Sequence, residues 1–168
     1  MKMRLVSIIL VFLFVANPVF AQEKPTIGNI AREVFTDPTT YAPTIVWFWS
    51  AQGDWDTSQP LFKRNHGEQN PTYMQSGFPF GTPMNYGDGN RLIRSMIPST
   101  LGFTIGANTI ERFGEHFLIR RYPNKKRTIK IAGWASRIAI ASAQSYILSA
   151  AHFRQWEENN RLLHTLYP

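Results

Sequence analysis

The sequence predicts a mainly α-helical protein, a small helical bundle built on one long antiparallel hairpin. Residues 131–151 (IAGWASRIAIASAQSYILSAA) are rich in alanine and contain no proline, a composition that favours helix. Residues 90–121 repeat apolar side chains at spacings of three and four, the period of one helical face. No run of the chain offers a convincing partner strand for a sheet, so helices are expected throughout.

The first 21 residues are typical of a secretory signal peptide. Lys2 and Arg4 precede an apolar core at 5–16, and Val19-Phe20-Ala21 supplies small residues at the positions that signal peptidase requires. An uncleaved N-terminal anchor is the alternative. Cleavage leaves residues 22–168 as a single helical domain and lowers the formal charge from +7 to +5. We expect an exported protein of the periplasm or outer envelope of a bacterium, soluble or associated with the membrane.

The chain has no cysteine. An exported protein without disulfides must be stabilised by its core alone. The absence of cysteine also excludes a cysteine nucleophile and a zinc–thiolate site from the chemistry of this chain.

The N-terminal part of the mature chain predicts two helices. Thr26–Phe35 carries its apolar side chains on one side, and Pro38 disfavours helix in the residue before it. Thr39–Asp54 is interpreted as a second helix, with Pro43 in its first turn and Gly53 closing it. Residues 44–51 are equally compatible with a short buried strand, because periodicity cannot distinguish the two in so short a run.

Residues 54–89 are predicted to form a long loop. Proline, glycine and asparagine are frequent here, which indicates turns. A loop of this length in a compact domain is usually functional or wraps the surface. We expect it to lie over the helices and to insert its aromatic side chains between them: Trp55, Phe62, Tyr73, Phe78, Phe80 and Tyr86.

The predicted hairpin consists of residues 90–121 and 126–166. Pro98 should kink the first helix or mark its true start, and so short a connection requires antiparallel helices. A pivot near Asn124 places Arg137 opposite Glu111, with Glu115 one turn away. Because a buried arginine without a carboxylate is costly, we predict a structural ion pair between Arg137 and Glu111 or Glu115.

The connection between these helices is strongly basic. Its charged residues are Arg120, Arg121, Lys125, Lys126, Arg127 and Lys130. This cluster predicts contact with anionic lipid headgroups or another acidic surface, and a solvated turn is the alternative. Nucleic acid is not expected as a partner, because the chain follows a signal peptide and has no recognisable nucleic-acid-binding motif.

Candidate catalytic and metal-ligating residues are sparse. The chain has four histidines and lacks the HExxH, GxSxG and P-loop patterns, so no metal and no cofactor are predicted. Structural roles are favoured for His116 and His152. A loop site would need its acidic and imidazole groups to converge with one of those two histidines. The groups are Asp54, Asp56, His66 and Glu68.

The favoured function is non-catalytic: an envelope structural or accessory protein that binds a partner helix or a membrane surface. A small periplasmic enzyme or ligand-binding protein that uses the 54–89 loop is the first alternative. The second is an integral membrane hairpin in which residues 95–110 and 131–151 cross the bilayer, which would place Arg137 at depth at a considerable energetic cost. A homo-oligomer is left open.

Overall fold

The computed structural model describes residues 26–166, where all the regular structure is helical and no strand forms. The α-helices are α1 (Ile27–Thr36), α2 (Ala42–Phe62), α3 (Tyr86–Ser95), α4 (Ile97–Arg121) and α5 (Lys126–Leu166), and 3₁₀ turns occupy Pro38–Thr40, Pro71–Tyr73 and Pro123–Lys125. The prediction of a mainly helical bundle is confirmed, and the strand alternative for residues 44–51 is wrong. The predicted signal peptide, residues 1–21, lies outside the described residues.

Local sequence signals explain where the helices begin. Thr26 caps α1 by accepting a hydrogen bond from the Asn29 amide, and Asn85 caps α3 by accepting one from Asp88; such side chains satisfy amides that the first helical turn leaves free. Asp37 ends α1 and its carboxylate accepts from Thr39 in the 3₁₀ turn that follows.

The predicted loop at 54–89 is shorter than expected. Residues 54–62 continue α2, and residues 86–89 belong to α3. Gly53 does not end α2: a Cβ there would lie 2.5 Å from the ring of Trp156, so the glycine admits a neighbouring side chain. Pro60 lies in the last turn of α2, where its missing N–H removes one helical hydrogen bond, and the helix ends two residues later.

The aromatic side chains of the remaining loop behave differently from one another. Tyr73 is buried, whereas Phe78 and Phe80 are exposed. The expectation that the loop inserts its aromatics among the helices is therefore right for Tyr73 and wrong for the other two.

The predicted helix at 90–121 is two helices. α3 begins four residues before Asn90, and the chain breaks at Met96 before α4 begins. Pro98 explains the break, because its ring would clash with the carbonyl four residues earlier in a continuous helix, whereas the first turn of a new helix accepts it.

The chain divides into two compact units, each assembled from separate stretches. Among the described residues, unit 1 contains 26–43 and 100–144, and unit 2 contains 44–99 and 145–166. The hydrophobic core cluster lies in unit 2: Trp47, Ala51 and Trp55 of α2 pack with Tyr73 and Ile93. The Trp55 and Tyr73 rings stack with centroids 5.3 Å apart.

Candidate functional site

The interior of unit 1 holds a buried ion network. It links α1, the 3₁₀ turn after it, α4 and α5, and its members are Glu33, Asp37, Arg112, Glu115, His116 and Arg137. Three carboxylates therefore face two guanidinium groups and one imidazole. Buried charges are tolerated in proteins only when they are paired and hydrogen-bonded.

Arg137 is the centre of this network. Its Nη1 lies 2.5 Å from Glu115 Oε2, and both side chains are almost fully buried. Its Nε lies 3.0 Å from Asp37 Oδ2, an ion-pair distance, although the angle does not make a hydrogen bond. The structure thus gives the ion pair to Glu115, the second of the two predicted carboxylates, and Glu111 is not its partner.

Arg112 and His116 make the other contacts of the network, and two of these contacts are short. Arg112 Nη2 donates to Asp37 Oδ2 at 2.6 Å, and His116 Nε2 lies 3.0 Å from Glu33 Oε2. The sequence favoured a structural role for His116. In the structure its partner is the carboxylate of Glu33.

Gly133 makes room for the ion pair. A Cβ at this position would lie 2.5 Å from Glu115 Oε2 and 3.2 Å from Arg137 Nη1. Any other residue at position 133 would displace the carboxylate from Arg137.

A row of neutral polar side chains extends the buried polar interior along α4. Asn108 donates to the hydroxyls of Thr39 and Thr40 at 3.0 and 2.6 Å, and Thr104 donates to the Thr40 carbonyl at 2.6 Å. Thr100, Thr104, Asn108, Arg112 and Glu115 follow one another at spacings of three and four. That spacing places them on one face, so the side of α4 that faces the interior of unit 1 is polar.

The outward face of α4 is apolar. Ile110 and Phe117 are 75% and 65% exposed, and Phe103 and Phe113 are about half exposed. Gly102, Gly106 and Gly114 on this helix have open space where a Cβ would be. Large contiguous apolar patches are rare on monomeric soluble proteins and usually mark an interaction surface.

Part of this apolar surface is an apolar groove between α1 and α4. Its lining residues are Ile27, Ile30, Ala31, Val34, Phe35, Ile105, Thr109 and Phe113. The one polar side chain in it, Thr109, donates its hydroxyl proton to the Ile105 carbonyl. The groove therefore offers no unsatisfied polar group to a ligand.

The basic turn connects α4 to α5 and is exposed. Five of its six basic residues are exposed, and Lys126 is half-buried. No acidic residue occurs between Glu115 and Glu157, so the positive charge of the turn has no acidic neighbour in sequence. Apolar side chains, which we call the apolar rim, flank it on both helices: Phe117, Leu118, Tyr122, Ile131 and Trp134.

Unit 2 contains a different polar centre, formed by Asp54 and His152. His152 Nδ1 lies 2.9 Å from Asp54 Oδ2, and both side chains are largely buried. Asn159 donates to Ser58 Oγ at 2.8 Å and lies 3.4 Å from Asp54 Oδ1. The carboxylate is therefore held between α2 and α5 by two side chains from α5.

Glu68 and Tyr73 lie within electrostatic range of Asp54. Burial raises the pKa of Glu68, and the negative charge of Asp54 adds to this against the opposing backbone hydrogen bonds from Asn70 and Gln69. Burial, with Asp54 and Glu68, raises the pKa of Tyr73 to about 12. The negative charge of Asp54 therefore raises the pKa of both residues, in addition to the larger effect of burial.

The four predicted loop-site residues have different hydrogen-bond partners. Asp54 pairs with His152, and the negative charge of Asp54 contributes to the raised pKa of Glu68. Asp56 faces away and accepts from Gln52 and from the Tyr86 hydroxyl at 2.9 Å. His66 is half-buried just beyond α2, where its amide donates to the Leu61 carbonyl.

Sequence reasoning did not find Asp37, Arg112 or Asn159. The four-residue spacing of polar side chains along α4 was the available signal for Arg112. The sequence has no comparable signal for Asp37 or Asn159. Aspartate is common before proline, and asparagine is common at the charged end of a helix.

Within residues 26–166, histidine and acidic side chains form no group of three suited to hold a metal ion. Across the same residues, no helix combines the length and apolarity that crossing a membrane demands. The chain matches no known protein family, no curated protein and no solved structure.

Proposed function

We propose that the mature chain is a non-catalytic accessory protein of the bacterial envelope that docks on an anionic membrane surface through unit 1. The observation that carries the proposal is the distribution of side chains in unit 1, where charged and polar groups are buried and aromatic and aliphatic groups are exposed. An apolar exterior of this kind is stable where lipid or a partner covers it.

The basic turn selects the membrane surface over a partner helix. Lysine and arginine near an anionic leaflet contribute about 1 kcal/mol each, and six of them occur within eleven residues. The apolar rim has the tryptophan and tyrosine that are enriched at membrane–water interfaces. In this proposal residues 97–121 and 126–166 form the antiparallel hairpin that the short connection predicts, with the basic turn at its tip.

Vesicle binding tests this proposal. The mature chain is sedimented with vesicles of phosphatidylcholine alone and of phosphatidylcholine with phosphatidylglycerol. We expect binding to the anionic vesicles only. The variant Lys125→Gln/Lys126→Gln/Arg127→Gln should lose roughly a hundredfold in affinity, the sum of about 1 kcal/mol for each charge.

A matched variant controls for net charge. Lys63→Gln/Arg94→Gln/Arg154→Gln removes three exposed cations of unit 2 and should bind within a fewfold of the wild type. Equal losses in both variants, or no preference for anionic vesicles, would overturn the membrane proposal. Solution assembly without vesicle binding would favour a protein partner instead.

The Asp54–His152 pair favours a second candidate, a ligand-binding or acid–base site in unit 2. A buried carboxylate that orients an imidazole is a recurring element of such sites. Functional residues often cost stability, so His152→Gln should leave the free energy of unfolding unchanged or raise it. A loss of about 1–3 kcal/mol, the cost of an unsatisfied buried polar group, would instead assign the pair a structural role.

A further inference from the structure

The apolar groove of unit 1 and the basic turn are aligned along one helix. Ile105, Thr109 and Phe113 line the groove at intervals of four residues on α4. Arg120 follows Phe113 by seven residues, which is about two turns and roughly 10 Å of helix on the same side. Phe117, exposed, lies between them.

The exposed side chains along this line change from apolar to cationic, and the half-buried His116, paired with Glu33, lies between Phe113 and Arg120. Ile30 and Val34 form a buried floor, and Ile27 and Phe35 stand exposed at the edge. Thr109 has its hydroxyl satisfied by its own helix. A ligand that matches this order has a long apolar part without hydrogen-bonding groups and one anionic end.

A partner helix matches the line less well. Its apolar side chains could fill the groove, but pairing with Arg120 would also require an acidic side chain placed beyond the end of its apolar face. A single-chain amphiphile meets both conditions, because its aliphatic part needs no hydrogen-bond partner and its phosphate pairs well with arginine.

We infer that the α1–α4 groove is a seat for one acyl chain of a phosphate-bearing lipid, whose headgroup binds Arg120 at the start of the basic turn. This inference rests on the proposed membrane function and goes beyond it. The basic turn brings unit 1 to the anionic surface, and the groove then takes one lipid chain out of the surrounding lipid.

Alkyl phosphates of increasing chain length test the groove, in titration calorimetry below the concentrations at which they aggregate. Inorganic phosphate should not bind measurably. Each added methylene should tighten binding about fourfold until the groove is filled, as expected for burial of one CH₂. Arg120→Gln should weaken dodecyl phosphate severalfold and leave the dependence on chain length unchanged.

A larger side chain that fills the groove should prevent an alkyl chain from binding there. Ala31 is half-buried on the groove wall, and Ala31→Phe should lower the affinity for dodecyl phosphate at least tenfold. Ala151→Phe, at an exposed alanine of α5 in unit 2, is the matched control. Helical content measured by circular dichroism checks folding, and Ala31→Leu replaces Ala31→Phe if the larger side chain unfolds unit 1.

The outcomes separate this inference from the proposed function. Affinity that does not depend on chain length in the wild type, or binding that survives a filled groove, overturns the lipid seat. Ala31→Phe should still sediment with anionic vesicles, because the basic turn is intact. Loss of vesicle binding in the Lys125/Lys126/Arg127 variant tests the membrane function alone.

Discussion

Unit 1 buries an ion network and few apolar side chains, whereas unit 2 buries an aromatic cluster together with several polar side chains. The core of unit 2 is aromatic: Trp47, Trp55 and Tyr73 pack around Ala51 and Ile93, and one carboxylate–imidazole pair lies beside them. The interior of unit 1 contains instead an ion network of six residues and a row of threonine and asparagine along α4.

The contrast is clearest on α4, whose two faces differ in chemistry. The inward side of α4 is polar, so its phenylalanines and isoleucines are left on the outward side. In unit 2 the tryptophans of α2 are largely used in packing, with Trp49 against Phe153 and Trp156. The exposed apolar side chains of α4 therefore lie on the face of the helix opposite its buried polar side chains.

Arg137→Met should produce the largest effect. It leaves Asp37 and Glu115 without their shared guanidinium in a buried site, and breaking such a pair costs about 3–5 kcal/mol. Chemical denaturation of the mature chain measures the loss. Arg127→Met, an exposed cation on the same helix, should change the free energy of unfolding by less than about 0.5 kcal/mol.

The cause of that loss can be isolated. The double variant Arg137→Met/Glu115→Gln removes both charges of the shortest ion pair and leaves Asp37 paired with Arg112. We expect it to recover much of the stability, because neutral replacements of buried ion pairs are often tolerated. A double variant as unstable as the single one would show that shape, and not uncompensated charge, is what unit 1 requires.

The helices and the Arg137 pairing were predictable because they depend on local rules. Alanine content, spacing and a short connection located α5, and the cost of a buried arginine limited its partner to two glutamates. Asp37 could not be predicted, since its contact with Arg137 depends on how α1 packs against α5. The same reason hid the Asp54–His152 pair, whose members are separated by 98 residues.

The error at 54–89 has a physical cause as well. Asp54, Ser58 and Gly53 belong to residue types that favour turns, but here they serve packing between helices. Asp54 and Ser58 bind His152 and Asn159, and Gly53 admits Trp156. Turn chemistry and close helix packing select the same small polar residues, so composition could not separate the two.

Gly89→Ala should disrupt the aromatic core of unit 2. A Cβ at Gly89 would clash with the Trp55 ring, which is itself fully buried. Overpacking of this kind costs about 1–3 kcal/mol. Gly87→Ala is the matched control two residues earlier in α3, where the nearest atom to a Cβ is 3.4 Å away. If both variants were equally stable, the contact with Trp55 would not limit the core.

Tyr73→Phe should change how the stability of the protein responds to alkali. The folded-state pKa of about 12 lies above the usual 10.0, so the stabilising contribution of the neutral phenol is complete below pH 10 and is lost as pH rises through 12. The wild type should lose up to about 2 kcal/mol more than the variant over that range. Tyr146→Phe, at a largely exposed position, should follow the wild type.

Glu68→Gln should change the free energy of unfolding least, and the size of the change depends on pH. Burial raises the folded-state pKa of Glu68 above 4.5, so its contribution to stability is present in acid and is lost as pH rises through the folded pKa. The variant should therefore be more stable than the wild type at neutral pH, and the difference should vanish below pH 4.5.

Glu158→Gln is the opposing control, because a hydrogen bond from Arg161 lowers the pKa of Glu158. Its contribution is present at neutral pH and is lost on acidification, so that variant should be slightly less stable at neutral pH. Urea unfolding at several pH values measures both, and a Glu68→Gln variant that is less stable than the wild type at neutral pH would show that the ionised carboxylate supports the folded state of unit 2.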